Sequence, residues 1–164
     1  MTDMTVTVNV AVSGNYDFSD PENPPTINAS YSGSSTPPPN GNQKVVQTNG
    51  NVNLTALNKS SGTYSNRTDI EFTLSGEVLD QNGDSHSPLY PAVLNDAVTV
   101  VPVGTAPRRG AGVPAGWQTS SSASTAVTVI DPDTDGQNYS YCLYVVLDGV
   151  TCPVDPSIMN RTSN

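Results

Sequence analysis

Thr5-Val6-Thr7-Val8-Asn9-Val10-Ala11-Val12 decides the fold. Met4, Val6, Val8, Val10 and Val12 fall on one side of an extended chain, and Thr5, Thr7, Asn9 and Ala11 on the other. Strict period-two alternation is the signature of a strand with one buried and one wetter face. Valine and threonine, both β-branched, suit that pleated surface. The same period returns further along the chain. Val52, Leu54 and Ala56 alternate, as do Ile70, Phe72, Leu74, Gly76 and Val78, and so does the run Thr125 to Ile130. Gly76, inside such a run, predicts a bulge or a close backbone approach.

Between these runs stand turn signals. Thr48-Asn49-Gly50 predicts a hairpin between strands at Lys44–Gln47 and Asn51–Leu57. Ser60 to Asn66 reads as a loop, Asp69 to Leu79 as a strand, and Asp80-Gln81-Asn82-Gly83-Asp84 as a turn. Val93 to Val103 reads as a strand weakened by Pro102. Two long connections are predicted. Ser13 to Gln43 is proline-rich, with a short strand around Ile27 to Tyr31, and Gly104 to Ser124 is rich in glycine, alanine and serine. Both exceed the usual length of a connection, and such loops are where binding residues gather.

The C-terminal hairpin is the best-defined feature. Asp148-Gly149 is a two-residue turn between the apolar runs Asn138–Leu147 and Val150–Val154. In a regular ladder Leu147 faces Val150, Val145 faces Cys152, and Cys142 faces Asp155. The two cysteines, Cys142 and Cys152, then lie on opposite faces of the sheet and cannot bridge. Both read as reduced thiols, and a reducing, cytoplasmic compartment is the expectation. No signal peptide or membrane helix is visible in the sequence.

The chain has 164 residues, the size of one domain over 1–164, and can bury roughly 70% of the surface of its unfolded state. Charged residues make up only 13%, yet the net charge is −9. Six basic residues are too few for a phosphate backbone or an anionic membrane, so nucleic acid and membrane are not expected partners. About eight short strands with almost no helical period predict an all-β sandwich with Greek-key links, a closed barrel being the alternative.

Several residues are candidates for chemistry. Asp131-Pro132-Asp133-Thr134-Asp135-Gly136 matches the first half of a calcium loop, with Asp131, Asp133 and Asp135 as candidate ligands. The twelfth position is Cys142 rather than a bidentate glutamate, so a full EF-hand is excluded and calcium would need distant ligands. Trp117, Tyr139 and Tyr141 are a candidate stacking platform for a small ligand or sugar. Arg108 and Arg109 form the only basic pair. His86 is the sole histidine, next to Asp84, Ser85 and Ser87. Sequence neighbours rarely converge as a catalytic relay, no nucleophile elbow is present, and one histidine with two separated thiols does not make a zinc site. No catalytic residue is predicted.

The segment Val127–Asp131, Asp135-Gly136, Tyr139–Gly149 and Val154-Asp155-Pro156-Ser157-Ile158-Met159-Asn160 resembles the bacterial DP-EP family of small β-sandwich proteins of unknown function. The Asp-Pro-x-Ile-x-Asn ending after an Asp-Gly hairpin carries the resemblance, and it is also similar to inclusion-body proteins of the PixA/AidA type. The name-giving Glu-Pro dipeptide is absent. The resemblance implies an immunoglobulin-like sandwich and carries over no catalytic residue. The expectation for function is a non-catalytic structural or interaction protein that self-associates as a homo-oligomer. A small-ligand, carbohydrate or calcium-binding module is the alternative.

Overall fold

In a computed structural model of the chain, residues 1–132, 136–154 and 157–160 are described. Among them are twelve strands, β1 (Thr2–Val12), β2 (Ala29–Thr36), β3 (Val52–Asn53), β4 (Tyr64–Gly76), β5 (Val78–Leu79), β6 (Ser85–His86), β7 (Val98–Pro102), β8 (Gln118–Ala123), β9 (Ala126–Asp131), β10 (Tyr139–Leu147), β11 (Val150–Pro153) and β12 (Ser157–Asn160). The helical elements among the described residues are three 3₁₀ turns of three residues each. The protein is all-β, in three sheets.

The first sheet has the order β2-β1-β4-β9-β8. The second is built on β10, with β7 on one side and β11 and β12 on the other, and β3 pairs with β12. The third is the small hairpin β5–β6. The chain leaves the first sheet for β3, returns for β4, leaves for β7, returns for β8 and β9, and ends in the second sheet. Because of these excursions β1 and β4, far apart in sequence, pair in parallel.

Alternation sets the core. Met4, Val6, Val8, Val10 and Val12 are all buried. The register aligns them in rows across the sheet. Val8 pairs with Phe72, which pairs with Val127; Val6 pairs with Ile70, which pairs with Val129. The next row is Met4, Thr68 and Asp131, so the pleat itself carries Asp131 to the buried face. The rows of the first sheet meet β10 of the second: the Phe72 and Tyr141 rings lie 4.9 Å apart. Fully burying a side chain such as Phe72 contributes about 1.5–3 kcal/mol.

The C-terminal hairpin has the register its turn demands, with Leu147 opposite Val150 and Val145 opposite Cys152. Both cysteines are buried, and neither is joined in a disulfide. The register slips by one residue between β11 and β12, since Ser140 faces Ile158. Asp155 and Pro156, which carry much of the family resemblance, lie outside the described residues. Gly76 makes the close approach its position suggests, over Val12.

Six expectations are corrected. The about eight strands expected are twelve among the described residues, and the strand expected at Val93–Val103 is confined to Val98–Pro102, after a 3₁₀ turn at Leu94–Asp96. The connection Ser13–Gln43 contains β2, eight residues long rather than a short strand at Ile27 to Tyr31. The connection Gly104–Ser124 contains β8. Both are edge strands whose serines and threonines bury little, so they show no apolar alternation. The Asn49-Gly50 turn forms, with Gln47 accepting from the Gly50 N–H, but Lys44–Gln47 contributes only an isolated bridge from Val46 to Val52, and the second strand stops at Asn53. The Asn53 carboxamide accepts from the Thr55 N–H and hydroxyl and turns the chain into a 3₁₀ turn. Finally, β4 begins at Tyr64, inside the expected loop Ser60–Asn66, because β1 offers a ladder that far back.

Candidate functional site

Three separate segments meet beside the β5–β6 hairpin. The hairpin is tied to the chain after β1 by bonds between Leu79 and the 14–16 segment, Tyr16 N–H to Leu79 O at 2.9 Å and Leu79 N–H to Gly14 O at 2.9 Å. It is tied to the second sheet by the pair Leu89 and Val146, bonded in both directions. That second tie brings the Asp148-Gly149 turn alongside His86.

Asp80 opens the hairpin turn. Its Oδ1 accepts the backbone N–H groups of Asn82 (2.8 Å) and Asp84 (3.0 Å), which shapes the loop from within. Its Oδ2 lies 2.7 Å from Nε2 of His86. Asp80 is buried although it is a carboxylate, and His86 is half-buried. The hydrogen bond from His86 holds the Asp80 carboxyl below its ordinary range, helped by the two backbone N–H groups and opposed by burial. The same bond, with the charges of Asp148 and Asp84, raises His86 above its ordinary value against the effect of burial. The Phe18 ring stands edge-on to the imidazole at 6.4 Å, and the Phe18 N–H donates to Gln81. Asp148, exposed, sits at φ +50° in the first position of its turn. Ligand atoms of Asp80, His86 and Asp148 all lie within 4.8 Å of one another.

This arrangement can hold a proton or a cation between imidazole and carboxylates. The hydroxyl of Ser85 donates to Glu77 at 2.7 Å. Asp84 contributes its backbone N–H to Asp80. Next to the cluster, the Asp148-Gly149 turn borders a cleft of about 450 Å³ lined by Pro21, Glu22, Arg109, Tyr144, Gly149 and Pro153 among others. Burial raises the Tyr144 phenol, and the Arg109 charge opposes that shift in part.

The cluster joins Asp80, which opens one predicted turn, His86 just beyond that turn, and Asp148 of the other predicted turn, but sequence reading did not bring them together. The available signal was local: an aspartate opening a turn with the only histidine six residues on. The third member, Asp148, comes from the far end of the chain.

The residues singled out from the sequence lie elsewhere. Asp131 closes β9, fully buried, while Asp133 and Asp135 lie outside the described residues. Trp117 and Tyr139 meet nearly edge to face with centroids 4.9 Å apart. Tyr141 donates its hydroxyl to the Gly50 carbonyl. Trp117, Tyr139 and Tyr141 are 7%, 3% and 0% exposed, whereas a stacking platform needs an open ring face. Arg109 lines the cleft and Arg108 gives its carbonyl to the Thr99 hydroxyl.

A second groove, about 330 Å³, runs along β2 and is lined by Tyr31, Gly33, Ser35, Lys44, Val46 and Thr48 among others. Among the described residues strand β2 pairs only with β1, in an unbroken register of eight residues from Thr36 to Ala29. None of those eight residues is charged or a proline. At the other edge of the sheet, the register of β8 with β9 slips between Ser120 and Ala123. In the second sheet the edges are short or tethered: β3 has two residues, and the Val100 N–H of β7 donates to Gly112.

No protein-family model matches the chain, and no curated protein matches it.

Proposed function

We propose that this chain is a non-catalytic structural or interaction module that self-associates through the edge of β2, its core an immunoglobulin-like sandwich of the kind the DP-EP family represents. One observation carries the reading: among the described residues β2 is a long, regular edge strand, and its own eight residues carry none of the charges, prolines or bulges that usually blunt an edge. Proteins discourage edge pairing with charges, prolines, bulges or very short strands. The edge strands β3, β7 and β8 each show one of these: β3 is two residues long, β7 ends in Pro102, and β8 is bulged. Strand β2 has none, and its residues Ser32, Gly33 and Ser34 are exposed. A second copy related by a two-fold axis presents the same strand in the antiparallel sense, so two five-stranded sheets join into one of ten.

Repeated crossing of the chain between two sheets that share a core supports the sandwich. A partner of the same chain fits the composition better than nucleic acid or a membrane, because six basic residues against a net charge of −9 leave no cationic surface of size. Two buried cysteines outside any disulfide support a reducing, cytoplasmic setting.

Light scattering or sedimentation across a concentration series tests this. The wild-type mass is expected to rise from one chain to two. The double variant Ser32→Lys, Ser34→Lys places like charges opposite each other across the two-fold axis and is expected to remain a monomer with unchanged melting temperature. A wild-type protein that stays monomeric at millimolar concentration would overturn the reading.

A further inference from the structure

We infer that Asp80, His86 and Asp148 form a binding site for one divalent transition-metal ion of the zinc type. This goes beyond self-association and does not rest on it. The ligand atoms are one imidazole nitrogen and two carboxylate oxygens, mutually within 4.8 Å. Zinc holds such atoms at about 2.0–2.2 Å, which puts neighbouring ligands roughly 3–4 Å apart. The cluster therefore needs only a small contraction. Its tightest pair, Asp80 Oδ2 and His86 Nε2 at 2.7 Å, needs to part slightly to admit the ion.

The surroundings favour a site with fixed ligands. The Asn82 and Asp84 N–H groups hold Asp80 Oδ1, which leaves Oδ2 turned toward the histidine. Hydrogen bonds to a ligating carboxylate of this sort orient it and are a regular part of metal sites. Asp80 and His86 come from the two arms of one hairpin, and the Leu89–Val146 pair fixes the turn that carries Asp148 beside them. The donor set also selects the ion. Calcium asks for six to eight oxygens and magnesium for an octahedron of oxygens and water, whereas nitrogen with two carboxylates suits zinc, cobalt or nickel. Three protein ligands leave a fourth position, and the exposed Asp148 places the open side toward solvent next to the cleft at Gly149.

The competing account is a purely structural ion pair between Asp80 and His86, in which Asp148 is a bystander. Asp148 therefore separates the two. Asparagine tolerates the positive φ of that turn, so Asp148→Asn leaves the fold intact. Zinc is titrated into the full-length protein by calorimetry, with cobalt absorption as a second readout. The wild type is expected to take one ion per chain and gain melting temperature with it. Asp148→Asn is expected to weaken binding at least ten-fold, and His86→Ala to abolish it. The double variant Cys142→Ser, Cys152→Ser is expected to bind as the wild type does. No wild-type binding at millimolar zinc, equal binding by wild type and Asp148→Asn, or binding lost only in the cysteine variant would each overturn the assignment.

Discussion

Gly76 crosses Val12 so closely that a β-carbon on Gly76 would stand 2.0 Å from the Val12 carbonyl oxygen. The two residues end the parallel β1–β4 ladder, and Gly76 turns away from it at φ +87°. An L-side chain there meets both a steric overlap with backbone, which cannot swing aside, and a disfavoured dihedral. Gly76→Ala is expected to lower stability by about 1–3 kcal/mol or more, read as a shift of the urea midpoint at constant slope. An unchanged midpoint would show that the ladder ends differently.

Tyr90 and Tyr141 should respond in opposite ways to loss of the hydroxyl. Both are buried, and burial drives the Tyr90 phenol well above its ordinary value. Tyr141 donates to Gly50, tying the second sheet to the Asn49-Gly50 turn. The Tyr90 hydroxyl finds no acceptor among the described residues. Tyr141→Phe leaves a buried carbonyl unsatisfied and is expected to cost about 1–3 kcal/mol. Tyr90→Phe removes a desolvated polar atom that makes no bond and is expected to be neutral or mildly stabilising, within about 1 kcal/mol. Chemical denaturation of the two variants side by side gives the comparison.

The thiols are expected to be silent in the folded protein. Burial pushes the Cys152 thiol up to about 11, so at pH 8 it is protonated and a poor nucleophile. Cys142 turns its Sγ toward the Val154 carbonyl at 3.1 Å on the other face of the hairpin. A thiol reagent at pH 8 should label neither quickly until urea is added, and mild oxidation should leave the monomer mass unchanged. The raised value also has a sign. Stability gained by burying the neutral thiol is complete below pH 9 and is lost as pH rises from there through about 11, which a melting series in alkaline buffers will show.

The Asp80–His86 pair sets a window at lower pH in metal-free protein. His86 is raised above 6.5, so its contribution is full below that pH and falls as pH climbs through the folded value. Asp80 is lowered below 3.8, so its contribution is full above that pH and falls as pH drops through the folded value. The melting-temperature difference between wild type and His86→Gln should therefore be largest between pH 3.8 and 6.5 and shrink on both sides. A difference that grows toward pH 9 would contradict the pairing.

By itself the sequence determined the features that are local or periodic. The alternation of Met4 through Val12 declared a strand and its buried side, because residues two apart always share a face. The Asp148-Gly149 turn dictated the pairing of Val145 with Cys152 and kept the two thiols apart, because a two-residue turn leaves no freedom of register. Gly76 announced a close approach, since only glycine avoids the overlap. Only the tertiary structure decided which strands are neighbours. The parallel pairing of β1 with β4 depends on a chain that visits the other sheet in between, and no local period encodes that. Strands β2 and β8 were hidden inside long loops because edge strands of serine and threonine bury little and carry no apolar pattern. The candidate metal cluster was hidden for a related reason: Asp80 and His86 share one hairpin, but Asp148 reaches them through a single pair, Leu89 and Val146, closed across the fold.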